Sequence, residues 1–157
     1  MANSRILKWQ DIHFDTIALA KMVEERGWLE DCKGVIAVAR GGLIPAGLFC
    51  NATGIKTVEC ICLSSYNAKN QSDIEVIKSL EIADGGKGWI IIDDLVDTGN
   101  SFAFLKMALP NAHRACIYAK PKGAPNTEIY VREIAQDCWL HFPWELDAEG
   151  RAFEAAE

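Results

Sequence analysis

The chain has 157 residues, half of them hydrophobic, which fits one domain (residues 1–157) with a sizeable core. Its formal net charge of −6 disfavours nucleic acid as a partner, because duplex-binding proteins usually present a basic face. No apolar run approaches the ~20 residues of a membrane span and no signal peptide opens the chain, so we expect a cytoplasmic protein. The six cysteines lack metal-ligand spacings, which favours reduced thiols over the weaker alternative of a zinc site.

The first half of the chain predicts a helix, a strand and a second helix. Apolar residues recur at helical spacing from Asp11 until Gly27. Gly34–Ala39 is an apolar run typical of a buried strand, and a helix is expected from Leu43. Between them lie Arg40, Gly41 and Gly42, where glycine allows close approach of a ligand and arginine suits a polyphosphate. The alternative is a plain turn with a solvated arginine.

A long polar loop follows the next predicted strand, Thr57–Leu63. Residues 64–73 are ten polar or small residues in nearly unbroken order. A loop of this length in a compact domain is usually functional or mobile, and enzymes often use one as a lid.

The most informative stretch begins at Trp89. Four bulky apolar residues, 89–92, predict a buried strand, and a helix is expected from Phe102 until Pro110. Between them the sequence is acidic and then small and polar: Asp93, Asp94, Leu95, Val96, Asp97, Thr98, Gly99, Asn100 and Ser101. Backbone amides of such a loop and the start of the helix form an anion site, which in α/β folds lies at the carboxyl ends of the strands.

Two strands and an aromatic segment complete the chain. Arg114–Ala119 is a predicted strand that ends at Lys120, which without other information is a solvated charge. A short strand is expected at Ile129–Val131, before a segment rich in aromatic residues up to Glu145. The residues after it predict a surface tail or a short helix.

The run Asp-Asp-Leu-Val-Asp-Thr-Gly at 93–99 resembles the phosphoribosyl pyrophosphate (PRPP) motif of the type I phosphoribosyltransferases. The resemblance extends from about Trp9 to Trp144 and is strongest to the bacterial xanthine-guanine phosphoribosyltransferases. It implies an α/β fold with a mainly parallel twisted sheet flanked by helices. A small hood from the N-terminal residues and about 128–145 would cover the base site. It also implies transfer of the 5-phosphoribosyl group of PRPP to N9 of guanine or xanthine, and more weakly of hypoxanthine, with Mg²⁺ as cofactor.

The resemblance assigns PRPP and its metal to the two strand-to-helix turns. A non-proline cis peptide is expected between Arg40 and Gly41, and Asp94 is the expected metal ligand. The residues expected to bind PRPP and its phosphates are Ala39, Arg40, Gly41, Asp93, Asp94, Asp97, Thr98, Gly99, Asn100 and Ser101.

The resemblance also assigns the base site and the lid. Asp97 matches the proposed general base near purine N7, and Lys120 matches the lysine that donates to the 6-oxygen. Trp139 would stack on the purine, and the Leu140 backbone would read the 2-position. In the flexible loop Ser64, Ser65 and Tyr66 match the family, whereas the family's arginine is replaced by Ser72 and Lys69 is the candidate substitute.

Two alternatives stay open at this point. One is a non-catalytic protein of the same fold that senses nucleotides and regulates transcription. The other is the same enzyme class with a preference for hypoxanthine. The family also suggests a homotetramer or a dimer, and loose association of some members with the membrane.

Overall fold

The computed structural model describes residues 3–65 and 74–153, and their helices and strands alternate along most of the chain. The helices are α1 (Trp9–Glu25), α2 (Leu43–Thr53) and α3 (Asn100–Ala108). The strands are β1 (Ser4–Ile6), β2 (Gly34–Ala39), β3 (Val58–Ser65), β4 (Ile74–Lys78), β5 (Trp89–Val96), β6 (His113–Ala119), β7 (Ile129–Glu133) and β8 (Trp139–His141).

One twisted sheet of six strands organises the domain. Its order is β4-β3-β2-β5-β6-β7, with β2 and β5 at the centre. Every neighbouring pair is parallel except β3 and β4, which run antiparallel at one edge. The predicted α/β class with a mainly parallel sheet flanked by helices is therefore confirmed.

Apolar residues fill both faces of this sheet, which explains the unbroken hydrophobic runs in its central strands. Ile90 and Ile92 point into a core that includes the α1 and α2 side chains, whereas Ile91 points to the opposite face. There Ile91 packs in a second core with Phe102 and Leu105 of α3. Successive strand residues face opposite sides, so a strand covered on both faces has no polar alternation.

A second, two-stranded sheet joins the start of the chain to its late aromatic segment. β1 and β8 are parallel, with Ser4 opposite Trp139. The backbone N–H of Trp139 donates to the carbonyl of Asn3 at 2.8 Å, and Leu7 donates to His141 at 2.9 Å. The position of Trp139 therefore depends on the first residues of the chain.

Some element boundaries differ from those expected. Strand β5 continues through Asp93 and Asp94 to Val96, because its ladder with β6 extends to the pair Val96–Ala119. Helix α3 begins at Asn100 rather than at Phe102, so the small polar residues form its first turn. No helix in residues 3–65 and 74–153 combines the length and apolar character needed to cross a bilayer.

Candidate active site

The acid pair of β5 lies against the turn between β2 and α2. A Cβ atom on Gly41 would overlap the carboxylate of Asp94, so only glycine fits this contact. The backbone N–H groups of Asp94 and Leu95 donate to the Asp93 and Asp94 carboxylates at 2.8 and 2.6 Å. Two predicted PRPP segments that are about fifty residues apart in sequence thus share one contact.

Burial of these two carboxyls favours their neutral forms. Burial raises the pKa of Asp93 well above its usual value, and the charge of Asp94 adds to the effect. Burial also raises the pKa of Asp94, to about 6, despite the hydrogen bonds that stabilise its ionised form. The negative charge of Glu145, from the late segment, contributes to the raised pKa of Asp94.

The cis peptide bond lies one residue earlier than expected. The bond between Ala39 and Arg40 is cis, and the predicted position between Arg40 and Gly41 is therefore wrong. The bond still belongs to the same turn. Arg40 itself is exposed, and Ala39 is half-buried at the end of β2.

A pocket opens beside the loop between β5 and α3. Its volume of about 200 Å³ is several times the ~30 Å³ share of one water molecule. It is lined by Ile74, Asp93, Leu95, Val96, Asp97, Thr98, Gly99, Asn100, Ser101 and Phe102. The predicted phosphate residues thus surround one space at the start of α3, where backbone N–H groups and the helix dipole favour an anion.

Glycine is required twice in the support of this loop. Gly99 has φ of 86°, a left-handed angle, and a Cβ there would overlap the side-chain amide of Asn126. A Cβ on Gly123 would come within 2.5 Å of the Val96 carbonyl oxygen. The turn after β6 therefore packs closely against the loop between β5 and α3.

Lys120 is buried and paired with Asp97. Its residue is 4% exposed, and its Nζ lies 2.9 Å from Oδ2 of Asp97. Lys120 is therefore not the solvated charge that its place at a strand end would suggest by itself, and its assignment to the base site stays a prediction of the resemblance. A buried ammonium needs a charged partner, and Asp97 supplies it from the neighbouring strand end. The second Asp97 oxygen, Oδ1, accepts a hydrogen bond of 2.9 Å from Nε2 of Gln136.

The predicted stacking residue is available to a ligand. The Trp139 residue is 63% exposed, and the next residue, Leu140, is buried at 5%. Both belong to β8, which begins three residues after Gln136. In the residues that follow β8, the rings of Phe142 and Trp144 stack with their centroids 4.7 Å apart.

The predicted lid is described only in part. Ser64 and Ser65 end strand β3. Tyr66 and Lys69 lie outside the described residues. Ile74, on the other side of the loop, lines the pocket at Asp97.

Two polar residues of the site, Gln136 and Glu145, carried no site assignment in the sequence. Both belong to the late segment, where the aromatic residues dominate the pattern. Their only sequence signal was a polar residue near Trp139, which is too common to indicate a site. The contact of Gln136 with Asp97 and the effect of Glu145 on the Asp94 pKa become visible only in the folded structure.

The acid pair fits a hard divalent cation. Neighbouring half-buried carboxylates repel each other, and a cation between them relieves that repulsion. Within residues 3–65 and 74–153, no cluster of three or more acidic, cysteine or histidine side chains could hold a metal ion. A pair of carboxylates is compatible with Mg²⁺, which binds through one or two carboxylates and takes its other oxygens from water and phosphates.

The fold is that of the purine phosphoribosyltransferases. The structure superposes on the Helicobacter pylori xanthine-guanine-hypoxanthine phosphoribosyltransferase with a TM-score of 0.77. The alignment covers 94% of this chain and 97% of that one, at 21% identity. No family model matches the chain.

Relatives similar in sequence identify the family within the purine phosphoribosyltransferases. The chain is 43% identical over 142 residues to the xanthine-guanine phosphoribosyltransferase of Nitratidesulfovibrio vulgaris strain DP4, covering 90% of this chain and 84% of the relative. It is 40% identical over 140 residues to the Chromohalobacter salexigens protein of the same name, covering 89% and 83%. The chain belongs to the xanthine-guanine phosphoribosyltransferase family.

Proposed function

We propose that the protein transfers the 5-phosphoribosyl group of PRPP to N9 of guanine or xanthine, giving the nucleoside monophosphate and pyrophosphate in purine salvage. One observation carries the proposal. The Gly41 turn, the Asp93–Asp94 pair, the Asp97 loop and Lys120 meet at the carboxyl ends of adjacent strands. Relatives about 40% identical to this chain carry the xanthine-guanine name.

The loop from Asp97 to Ser101 binds the 5′-phosphate in this proposal. Backbone N–H groups at the start of α3 and the hydroxyls of Thr98 and Ser101 are suitable donors. A phosphate bound there would hold the ribose C1′ in a fixed position relative to the base. The reaction between the two substrates would then be effectively unimolecular.

The acid pair and the turn of Ala39–Gly41 bind the ribose and the leaving pyrophosphate. Asp93 and Asp94 accept hydrogen bonds from ribose hydroxyls, and Asp94 is the proposed ligand of Mg²⁺. Magnesium, when bound, neutralises negative charge on the pyrophosphate. Arg40, the exposed residue before Gly41, contributes a further positive charge for binding the pyrophosphate.

Four residues form the proposed base site: Asp97, Lys120, Trp139 and Leu140. An ammonium has three N–H donors, so Lys120 can keep its bond to Asp97 and still donate to the purine 6-oxygen. Asp97 is the proposed general base, which accepts a proton from the purine near N7. Trp139 stacks on the ring, and the backbone of Leu140 reads the 2-position.

The surroundings of the site are also proposals. The small β1–β8 sheet is the proposed hood over the base, and the lid predicted at residues 64–73 lies mostly outside the described residues. A cytoplasmic location, association with the membrane face, and a dimer or tetramer remain predictions of the sequence.

The test is a product assay with PRPP and each of guanine, xanthine and hypoxanthine, with Mg²⁺ and with a chelator. The expected result is Mg²⁺-dependent formation of GMP and XMP, with less IMP. A Lys120→Met variant, whose side chain is unbranched, apolar and one atom shorter, should lose turnover of all three bases. No turnover of any base, combined with retained GMP binding, would favour the non-catalytic regulator. IMP formed fastest would favour a hypoxanthine enzyme.

A further inference from the structure

Gln136 connects three parts of the proposed base site. Its Nε2 donates to Oδ1 of Asp97 at 2.9 Å, and its Oε1 accepts from the backbone N–H of Lys122 at 2.9 Å. Asp97 belongs to the loop after β5, Lys122 to the turn after β6, and Gln136 itself lies three residues before Trp139. One half-buried side chain therefore spans the two turns and the start of β8.

The chemistry of the two partners fixes the orientation of the Gln136 amide. A backbone N–H can only donate, and an ionised carboxylate can only accept. Lys122 therefore requires the amide oxygen, and Asp97 requires the amide nitrogen. Glutamate at this position would keep the bond to Lys122 but would present an acceptor to Asp97.

The Asp97 carboxylate is consequently held at both oxygens. Lys120 holds Oδ2 and Gln136 holds Oδ1, each at 2.9 Å. The Asp97 side chain is nevertheless 45% exposed, so one side of it faces the pocket. Two donors on separate elements restrict the carboxyl torsion, which a single partner would leave free to rotate.

We infer that Gln136 is a positioning residue that orients the Asp97 carboxylate toward the purine while Lys120 shares its ammonium between Asp97 and the base. The inference rests on the proposed function, because it requires Asp97 to act on the bound base. It predicts that Gln136 affects turnover through Asp97 and leaves PRPP binding nearly unchanged, since Gln136 does not line the pocket at Thr98–Ser101.

The first test replaces Gln136 with Met and with Glu in the full chain. Met has a similar shape and no polar group, and we expect kcat with guanine to fall about tenfold or more, the usual effect of losing one hydrogen bond to a charged group. Glu should lower kcat further, because it places a second carboxylate against Asp97. The KM for PRPP should change by less than about twofold for both variants. Gln10→Met, at an exposed site on α1, is the matched control and should retain wild-type kcat.

The second test asks whether Gln136 acts through Asp97. In an Asp97→Asn background, Gln136→Met should change the residual kcat by less than about twofold, because the group that it positions is already lost. Multiplicative effects in the double variant would overturn the inference, as would wild-type kcat in both single variants. If Gln136→Met does not fold, Gln136→Glu decides, because it keeps the bond to Lys122.

These outcomes separate the inference from the proposed function. A wild-type protein that turns over no purine base contradicts the proposed function itself. An active wild type, an impaired Asp97→Asn variant and unaffected Gln136 variants contradict only the role of Gln136.

Discussion

Replacing Asp94 with asparagine should stabilise the protein while removing its proposed metal ligand. The pKa of the Asp94 carboxyl is raised from 3.8 to about 6. Above that pH the carboxyl is ionised in both states, and its charge is less favourable in the folded state than in the unfolded state. The full difference corresponds to about 3 kcal/mol, and partial solvent access reduces it to about 2 kcal/mol. Asparagine keeps the bond that Asp94 accepts from the Leu95 N–H.

The stabilisation should depend on pH in a defined direction. A raised carboxyl pKa destabilises the folded state fully above about pH 6, and the effect disappears as the pH falls toward 3.8. At about pH 8, a gain of about 2 kcal/mol raises Tm by roughly 4–8 °C for a chain of this size. At about pH 5 the gain should be about half as large.

Thermal unfolding followed by circular dichroism, with a chelator present, measures both gains. Asp31→Asn changes the same side chain at an exposed position and is the control for net charge. An Asp94→Asn variant that unfolds below the wild type at pH 8, or gains equally at both pH values, would refute the reasoning. The same variant should lose turnover with PRPP, so the stability and the activity of this site oppose each other.

Three further outcomes are expected. Asp97→Ala should lower kcat by about 10²-fold or more and should lower PRPP affinity far less. Turnover assays and calorimetric titration with PRPP measure the two losses, and equal losses would mean that Asp97 mainly positions substrate. Gly41→Ala should lower kcat/KM for PRPP by about 10²-fold, because the added Cβ displaces the Asp94 carboxylate, and unchanged kinetics would contradict that contact. Tyr118→Phe removes the buried bond of 2.7 Å to Asp15 and should lower the free energy of unfolding in urea by about 1–3 kcal/mol, with no change if that bond contributes nothing.

The sequence was most informative where strand and loop patterns are local. The apolar run before Asp93 predicted a buried strand because both faces of β5 are covered, and the small polar residues after it predicted a loop at the start of a helix. The same strand-to-helix pattern recurs at Gly34–Ala39, and the α/β class was implied by the family resemblance. The family followed from the acidic motif at 93–99.

The features that the sequence did not show depend on distant residues. The burial of Lys120 depends on its pairing with the Asp97 side chain from another strand end, which the residues around Lys120 do not reveal. The pairing of β1 with β8 joins segments about 135 residues apart, and three-residue strands have no detectable periodicity. The contact of Gln136 with Asp97 joins residues 39 apart in sequence, which no local pattern reveals. The short apolar run of β4 also does not reveal that this strand lies at the edge of the sheet and runs antiparallel to β3.

The pairing of β1 with β8 has a practical consequence for producing the protein. The carbonyl of Asn3 accepts a hydrogen bond from the backbone N–H of Trp139, so a bulky affinity tag fused ahead of Asn3 is expected to disturb this proposed purine-stacking residue. Such a tag should weaken nucleotide binding until it is cleaved, and a deletion of Ser4–Ile6 should do so permanently.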